Sequence, residues 1–214
     1  MKQVQFLFLL MLCLNLFGQQ THKKQWQTTA NFIELYTSGL DEIQILNSEN
    51  DMIDVSLFDE NPNSHYITTS ESDKILKINF KLNFLEDESV VFRKFITKRL
   101  NRASAIVKIP QNKEIVVYGT NIGVISKNYK GDINIYIDKG FINLNTVQGN
   151  VTAKLFQGNV YATVKNATIH ITSTNGNILI NHKKHQKSYH QLSSSENKKF
   201  ELNSINANVV LTTQ

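Results

Sequence analysis

This chain has little of what enzymes and metal proteins usually rely on. Cysteine occurs once, at Cys13, inside an apolar N-terminal run. Leu12 precedes it where a lipid-attachment motif carries Gly, Ala or Ser, so lipidation is not expected. Without that run the chain has no disulfide and no thiol chemistry. Its stability must then come from core burial, for which about 196 residues suffice. Acids are scarce in the second half: between residues 115 and 195 only Asp132 and Asp138 occur. Glycoside hydrolysis normally needs a carboxylate pair, and these two, six residues apart in one repeat, are not expected to form one. Acids before residue 90 fall in turns, where solvation explains them. No Gly-x-Ser-x-Gly motif is present. His182, His185 and His190 cluster, but no cysteine or paired acid completes a metal set around them. The expected catalytic, cofactor-binding and metal sites are therefore none.

What the chain does have is a nine-residue beat. Ile106, Ile115, Val124, Ile133, Ile142, Val151, Val160, Ile169 and Ile178 follow at strict intervals, although Ile and Val make up only 36 of 214 residues. Self-similarity at a fixed period marks a repeat architecture. Two positions before the ladder stand Gly131, Gly140, Gly149, Gly158, Ala167 and Gly176, each after a polar residue, which is turn chemistry. Two positions after it stand Ile135, Leu144, Ala153, Ala162, Ile171 and Ile180. Each unit is thus a turn followed by apolar–polar–apolar alternation, a short strand with one buried face. An antiparallel meander tolerates variable loops and has no reason to hold phase. A coil suffers if phase slips, because a one-residue slip turns every buried side chain outward. Nine units in phase favour a parallel β-solenoid (β-helix).

With two units per coil, Asn134, Tyr136, Thr152, Lys154, His170 and Thr172 share one outer face. Asn143, Asn145, Tyr161, Thr163, Leu179 and Asn181 share the other. The period also suits the calcium-binding β-roll, whose turns read Gly-Gly-x-Gly-x-Asp. Here each turn has one Gly, and Asp follows it only at Asp132, so calcium is not expected.

The rest of the chain is organised around this block. Residues 1–18, with Lys2, an apolar run and Gly18, read as a secretory signal peptide. At about 14 residues the run is short for a membrane span, and no later segment qualifies. Residues 19–214 then form a single all-β domain. Within it, 26–103 is an irregular β-rich start that caps the stack, and 104–181 holds the regular repeats. Residues 182–199 are a polar, lysine-rich insertion expected as an exposed loop or hairpin, and 200–214 a final strand, since residues 207–211 match 176–180 column for column. Residues 86–102 place acids first, bases last and apolar residues at helical spacing, which predicts a short connector helix. Charge is uneven: residues 19–114 hold 12 bases and 14 acids, residues 115–214 hold 10 bases and 4 acids. In an exported protein nucleic acid is not an expected partner. An anionic glycan or lipid head group suits the basic half, and ordinary solvated lysines explain it as well.

An export signal, an early Ile-x-Ile pattern, Ile-Val-Lys-Ile-Pro at 106–110 and repeated Gly-Asn-Val or Gly-Asn-Ile units together resemble the putative adhesin (head-GIN-like) β-solenoid proteins of Gram-negative bacterial envelopes. The likeness spans residues 30–212, and Gly140-Phe141 and Ala167-Thr168 depart from it. It implies a non-enzymatic module of the periplasm, outer surface or extracellular space whose partners are envelope or extracellular glycans or proteins, and it carries over no catalytic residue. Two other functions compete with adhesion: a polysaccharide-active β-helix enzyme, which needs converging carboxylates, and a self-assembling structural envelope protein.

Overall fold

The computed structural model describes residues 20–60, 65–82, 103–193 and 198–214. The expected signal peptide (1–18) and connector helix (86–102) lie outside the described residues, which contain no helix. Strands β1 (Gln20–Gln27), β2 (Phe32–Tyr36), β3 (Glu42–Asn47), β4 (Met52–Asp59), β5 (His65–Ser72) and β6 (Ile75–Leu82) come first. Next are β7 (Ala103–Ile109), β8 (Glu114–Lys127), β9 (Ile133–Val147) and β10 (Val151–Val164). Then follow β11 (Thr168–Ser173), β12 (Ile178–Ile180), β13 (Lys183–His185), β14 (Ser188–Gln191) and β15 (Lys199–Thr213). All join one mixed, mostly parallel sheet.

The nine-residue beat becomes an 18-residue register. Ile115 pairs with Ile133, and Ile133 with Val151. Val124 pairs with Ile142, and Ile142 with Val160. Two units therefore make one rung. Within a rung the buried parity switches: β9 buries Ile133, Ile135 and Ile137, then Ile142 and Leu144. The strand must bend between them for both halves to face one core, and Gly140 stands at the bend with φ +135. In β10 the same switch falls at Gly158, with φ +150. This conformation favours glycine, because a Cβ would crowd the backbone. All eight ladder residues from Ile115 to Ile178 are buried, and each such side chain contributes about 1.5–3 kcal/mol of burial.

Two expectations need correcting. Ile106, the first beat residue, is out of phase: it stands opposite Gln44, while its neighbours Ala105 and Val107 point inward. The final strand is not the last rung. β15 pairs in parallel with β10 on one side and with β11 and β12 on the other, so it sits inside the stack. There Leu202 and Leu211 stand beside Ala153 and Ala162, large against small across adjacent rungs. Residues 182–199, expected as an exposed loop or hairpin, take the strand form. They contain β13 and β14, which pair antiparallel with β12 and β11 at the end of the stack.

Both ends are thus closed by antiparallel strands. At one end β4 pairs with β7 and β1 with β4, while β5 pairs with β6. At the other lie the short β13 and β14, bearing Lys183, Lys184 and His190. Short, charged edge strands discourage further strand addition.

Candidate interaction surfaces

The outward residues of successive rungs line up in rows. On the face built from the first half-rungs, Tyr36, Tyr118, Tyr136, Lys154, Asn203 and Thr172 follow one another. Asn134, Thr152, Glu201 and His170 form a parallel row. The expected set Asn134, Tyr136, Thr152, Lys154, His170 and Thr172 does share this face, with Glu201 and Asn203 of the inserted strand between its members. On the second face Asn143, Tyr161, Val210 and Leu179 form a row, again with an unforeseen β15 residue inside it. Thr163 pairs with Thr212, Asn145 with Lys127, and the Asn181 amide donates to Thr213 Oγ1 at 2.7 Å.

The tyrosine row is a stack. Tyr36 and Tyr118 lie 5.0 Å apart between centroids at 20°, Tyr118 and Tyr136 5.7 Å at 21°. Lys154 Nζ stands 5.8 Å from the Tyr136 centroid, a cation–π arrangement. Ring faces in this stack are turned to one another, so the row offers edges and hydroxyls rather than open aromatic platforms. Tyr36 donates to Glu34 Oε2 at 2.8 Å, and Lys77 Nζ lies 3.3 Å from the same oxygen. The hydrogen bond to the Glu34 carboxylate, then burial and the nearby charge, push Tyr36 up to about 12. The raised value favours the protonated phenol in the folded state. Its stabilising effect is therefore full below about pH 10, the ordinary phenol value, and is lost as pH rises towards 12. Difference absorbance titration against Tyr36→Phe should show a phenol ionising near pH 12. Glu34→Gln should bring that titration down towards the ordinary range; an unmoved midpoint would remove Glu34 as the cause.

The corners carry amide ladders. Asp132 Oδ1 accepts from the Asn150 backbone N–H at 2.8 Å and Asp132 Oδ2 from the Asn150 amide at 3.0 Å. Asn150 Oδ1 accepts from the Lys199 N–H at 3.0 Å. At the other corner Asn208 links Asn159 and Asn177, with contacts of 3.3 and 3.2 Å. These struts explain the recurrent Gly-Asn of the repeat. Asp138 lies mid-strand in β9, away from the Asp132 strut.

The three clustered histidines are dispersed in role. His185 packs edge-on to Tyr189 at 4.7 Å, His190 to His170 at 5.9 Å, and His182 is exposed. No group of three potential metal ligands occurs among the described residues.

Along one corner runs a groove of about 680 Å³ lined by Phe32, Asn112, Lys113, Glu114, Lys130, Asp132 and Gln148 with the bare backbones of Gly131 and Gly149. Sequence reading singled out Asp132 but missed Phe32 and Glu114. Phe32 pairs with Glu114, and Asp132 lies 18 residues after Glu114, one rung on. Glu114 Oε1 accepts from the Asn134 amide at 2.8 Å.

No protein-family model matches this sequence, and no curated protein matches it. Solved structures do. A putative cell adhesion protein from Clostridium sporogenes aligns over 92% of this chain and 100% of its own, with a TM-score of 0.59 and 13% identity. A putative adhesin from Bacteroides fragilis covers 92% of this chain and 98% of its own at 10% identity, with a TM-score of 0.29. At 13% identity the first likeness is one of fold: this chain shares the all-β architecture of the Clostridium sporogenes protein.

Proposed function

We propose that the protein is an exported parallel β-solenoid that works as a non-enzymatic interaction module of the cell envelope, contacting extracellular or envelope glycans or proteins through its strand-ladder faces. One observation carries this reading. The 18-residue register places outward polar and aromatic residues in continuous rows across four long rungs, β8, β9, β10 and β15. Such rows are suited to broad contact. Exposed Tyr161 and Val210, 47% and 39% accessible, lie side by side on one of them. The fold shared with a putative cell adhesion protein supports the same reading.

A hydrolase would need two free carboxylates converging on a substrate. Glu114 and Asp132 do line one groove, but both Asp132 oxygens are engaged by Asn150, and Glu114 is engaged by Asn134. They serve as struts between rungs. Binding of the purified, fluorescently labelled protein to intact cells and to a broad glycan and envelope-protein panel tests the proposal. Saturable binding with no release of reducing sugar is the expected result. Absence of binding to every surface, or strand cleavage of a polysaccharide, would overturn it. Protease shaving of intact cells checks exposure: digestion is expected if the module faces outward, and full protection would confine it to the periplasm.

A further inference from the structure

The corner groove has the chemistry of a sugar-binding strip, and we infer that it takes a neutral glycan chain, with Phe32 as its stacking platform. The inference rests on the interaction-module reading above and names its site and ligand class.

The groove exists because of the repeat. The polar–Gly corner leaves Gly131 and Gly149 without side chains on consecutive rungs, and a Cβ on either would overlap the backbone carbonyl of the rung before, Lys113 or Gly131. The missing side chains open a channel along the stack. Its floor is held by inter-rung backbone hydrogen bonds: Glu114 N–H to Asn31 O at 3.0 Å, Ile115 N–H to Asp132 O at 2.9 Å and Ile133 N–H to Asn150 O at 2.9 Å. A floor fixed in this way is formed before a ligand arrives, which lowers the entropy lost on binding.

Its lining points to a sugar. Phe32 is 42% exposed on β2, an unusual exposure for a phenylalanine, and unlike the tyrosines it has no ring partner among the described residues. An open ring face beside hydrogen-bonding groups is what the apolar face and hydroxyl rim of a pyranose require. Glu114 and Asp132 follow Phe32 on successive rungs, about 4.8 Å apart along the stack. Each carboxylate has lone pairs beyond those its asparagine uses, so each can still accept from a hydroxyl. Lys130 and Gln148 are exposed and supply donors across the groove. Two acids and two bases, Glu114, Asp132, Lys113 and Lys130, leave the strip without net charge. That balance favours a neutral chain over a polyanion.

Affinity electrophoresis of the full chain through gels containing soluble neutral polysaccharides (xylan, mixed-linkage β-glucan, galactomannan) provides the test, with heparin as the polyanion arm. At least one neutral polysaccharide should retard the protein. Phe32→Ala should abolish that retardation or weaken it at least tenfold, Phe32→Trp should preserve it, and Gln148→Ala should weaken it severalfold. Melting curves of the variants separate lost binding from lost folding. Retardation by heparin alone, or equal retardation of the wild type and a folded Phe32→Ala, overturns the inference. So does failure of every neutral polysaccharide to retard the wild type. If cell binding persists in any of these cases, the interaction module stands and only its glycan groove falls.

Discussion

Replacing Gly140 or Gly158 by alanine is expected to destabilise the protein by about 4 kcal/mol, combining a backbone penalty of ~1–3 kcal/mol with steric crowding of similar size. Both glycines hold φ well into the positive region, +135 and +150. A Cβ at Gly140 would overlap the Ile122 carbonyl of the preceding rung, and one at Gly158 the Gly140 carbonyl. The neighbour in each case is backbone, so it cannot swing aside as a flexible side chain would. These residues sit where the strand bends and its buried parity switches, so relaxation there would push Ile142 or Val160, both fully buried, out of their columns. Total stability is typically about 5–15 kcal/mol, and a loss of this size should lower the melting temperature by roughly 10 °C for a chain of this length. Thermal melts followed by circular dichroism measure it. Gln157→Ala, exposed and one residue from Gly158, is the control, expected within about 0.5 kcal/mol of wild type. Should both glycine variants melt with that control, the corners do not hold the tight bend described.

The second large effect belongs to a buried Asp–His contact at the far end of the stack. His65 Nδ1 lies 2.8 Å from Asp59 Oδ2, and both side chains are fully inaccessible. The same carboxylate oxygen accepts the His65 backbone N–H at 3.0 Å. His65 Nε2 is 3.0 Å from the Gly39 carbonyl, in the turn between β2 and β3. One node thus ties the end of β4 and the start of β5 to a rung of the parallel stack. Removing either partner leaves a buried polar group without its counterpart, which costs about 1–3 kcal/mol and more where the group left behind is charged. Asp59→Ala and His65→Ala should each cost that much by urea denaturation. The double variant should cost clearly less than the sum of the two, because the second truncation removes a group already orphaned. Simple additivity would show that the two side chains do not act as a pair. Neither residue lines the corner groove, so cell binding by the surviving folded fraction should be unchanged.

Much of the fold was legible because it is written in one-dimensional order. Ile115, Ile133 and Val151 recur at the rung length, and the Gly corners recur with them, so composition, strand type and inward columns could all be read from spacing. Ile106 shows the limit of that reading: it keeps the interval, yet it belongs to β7, where Ala105 and Val107 fill the core and Ile106 faces outward opposite Gln44. An apolar residue on a beat does not say which side of its strand is buried. The candidate groove was legible only in part. Asp132 stood out as a lone acid in a turn, but Phe32 is 100 residues away in sequence and lacks the beat. It reaches Asp132's column because β2 pairs with β8 and β8 with β9. The Asp59–His65 node left no local signal, since its third partner is the Gly39 carbonyl, a backbone atom.

The sequence by itself determined the nine-residue unit: its buried columns, its glycine corners and its outward residues, since all follow from a period of two along strands and of nine along the chain. It could not determine the order of the rungs. Residues 168–180 and 199–213 carry the same columns, and either segment fits in register on β10. Only the tertiary structure decided between them. β15 pairs with β10 on one side and with β11 and β12 on the other, which leaves β11 and β12 outside to receive the short basic strands β13 and β14 as their antiparallel cap.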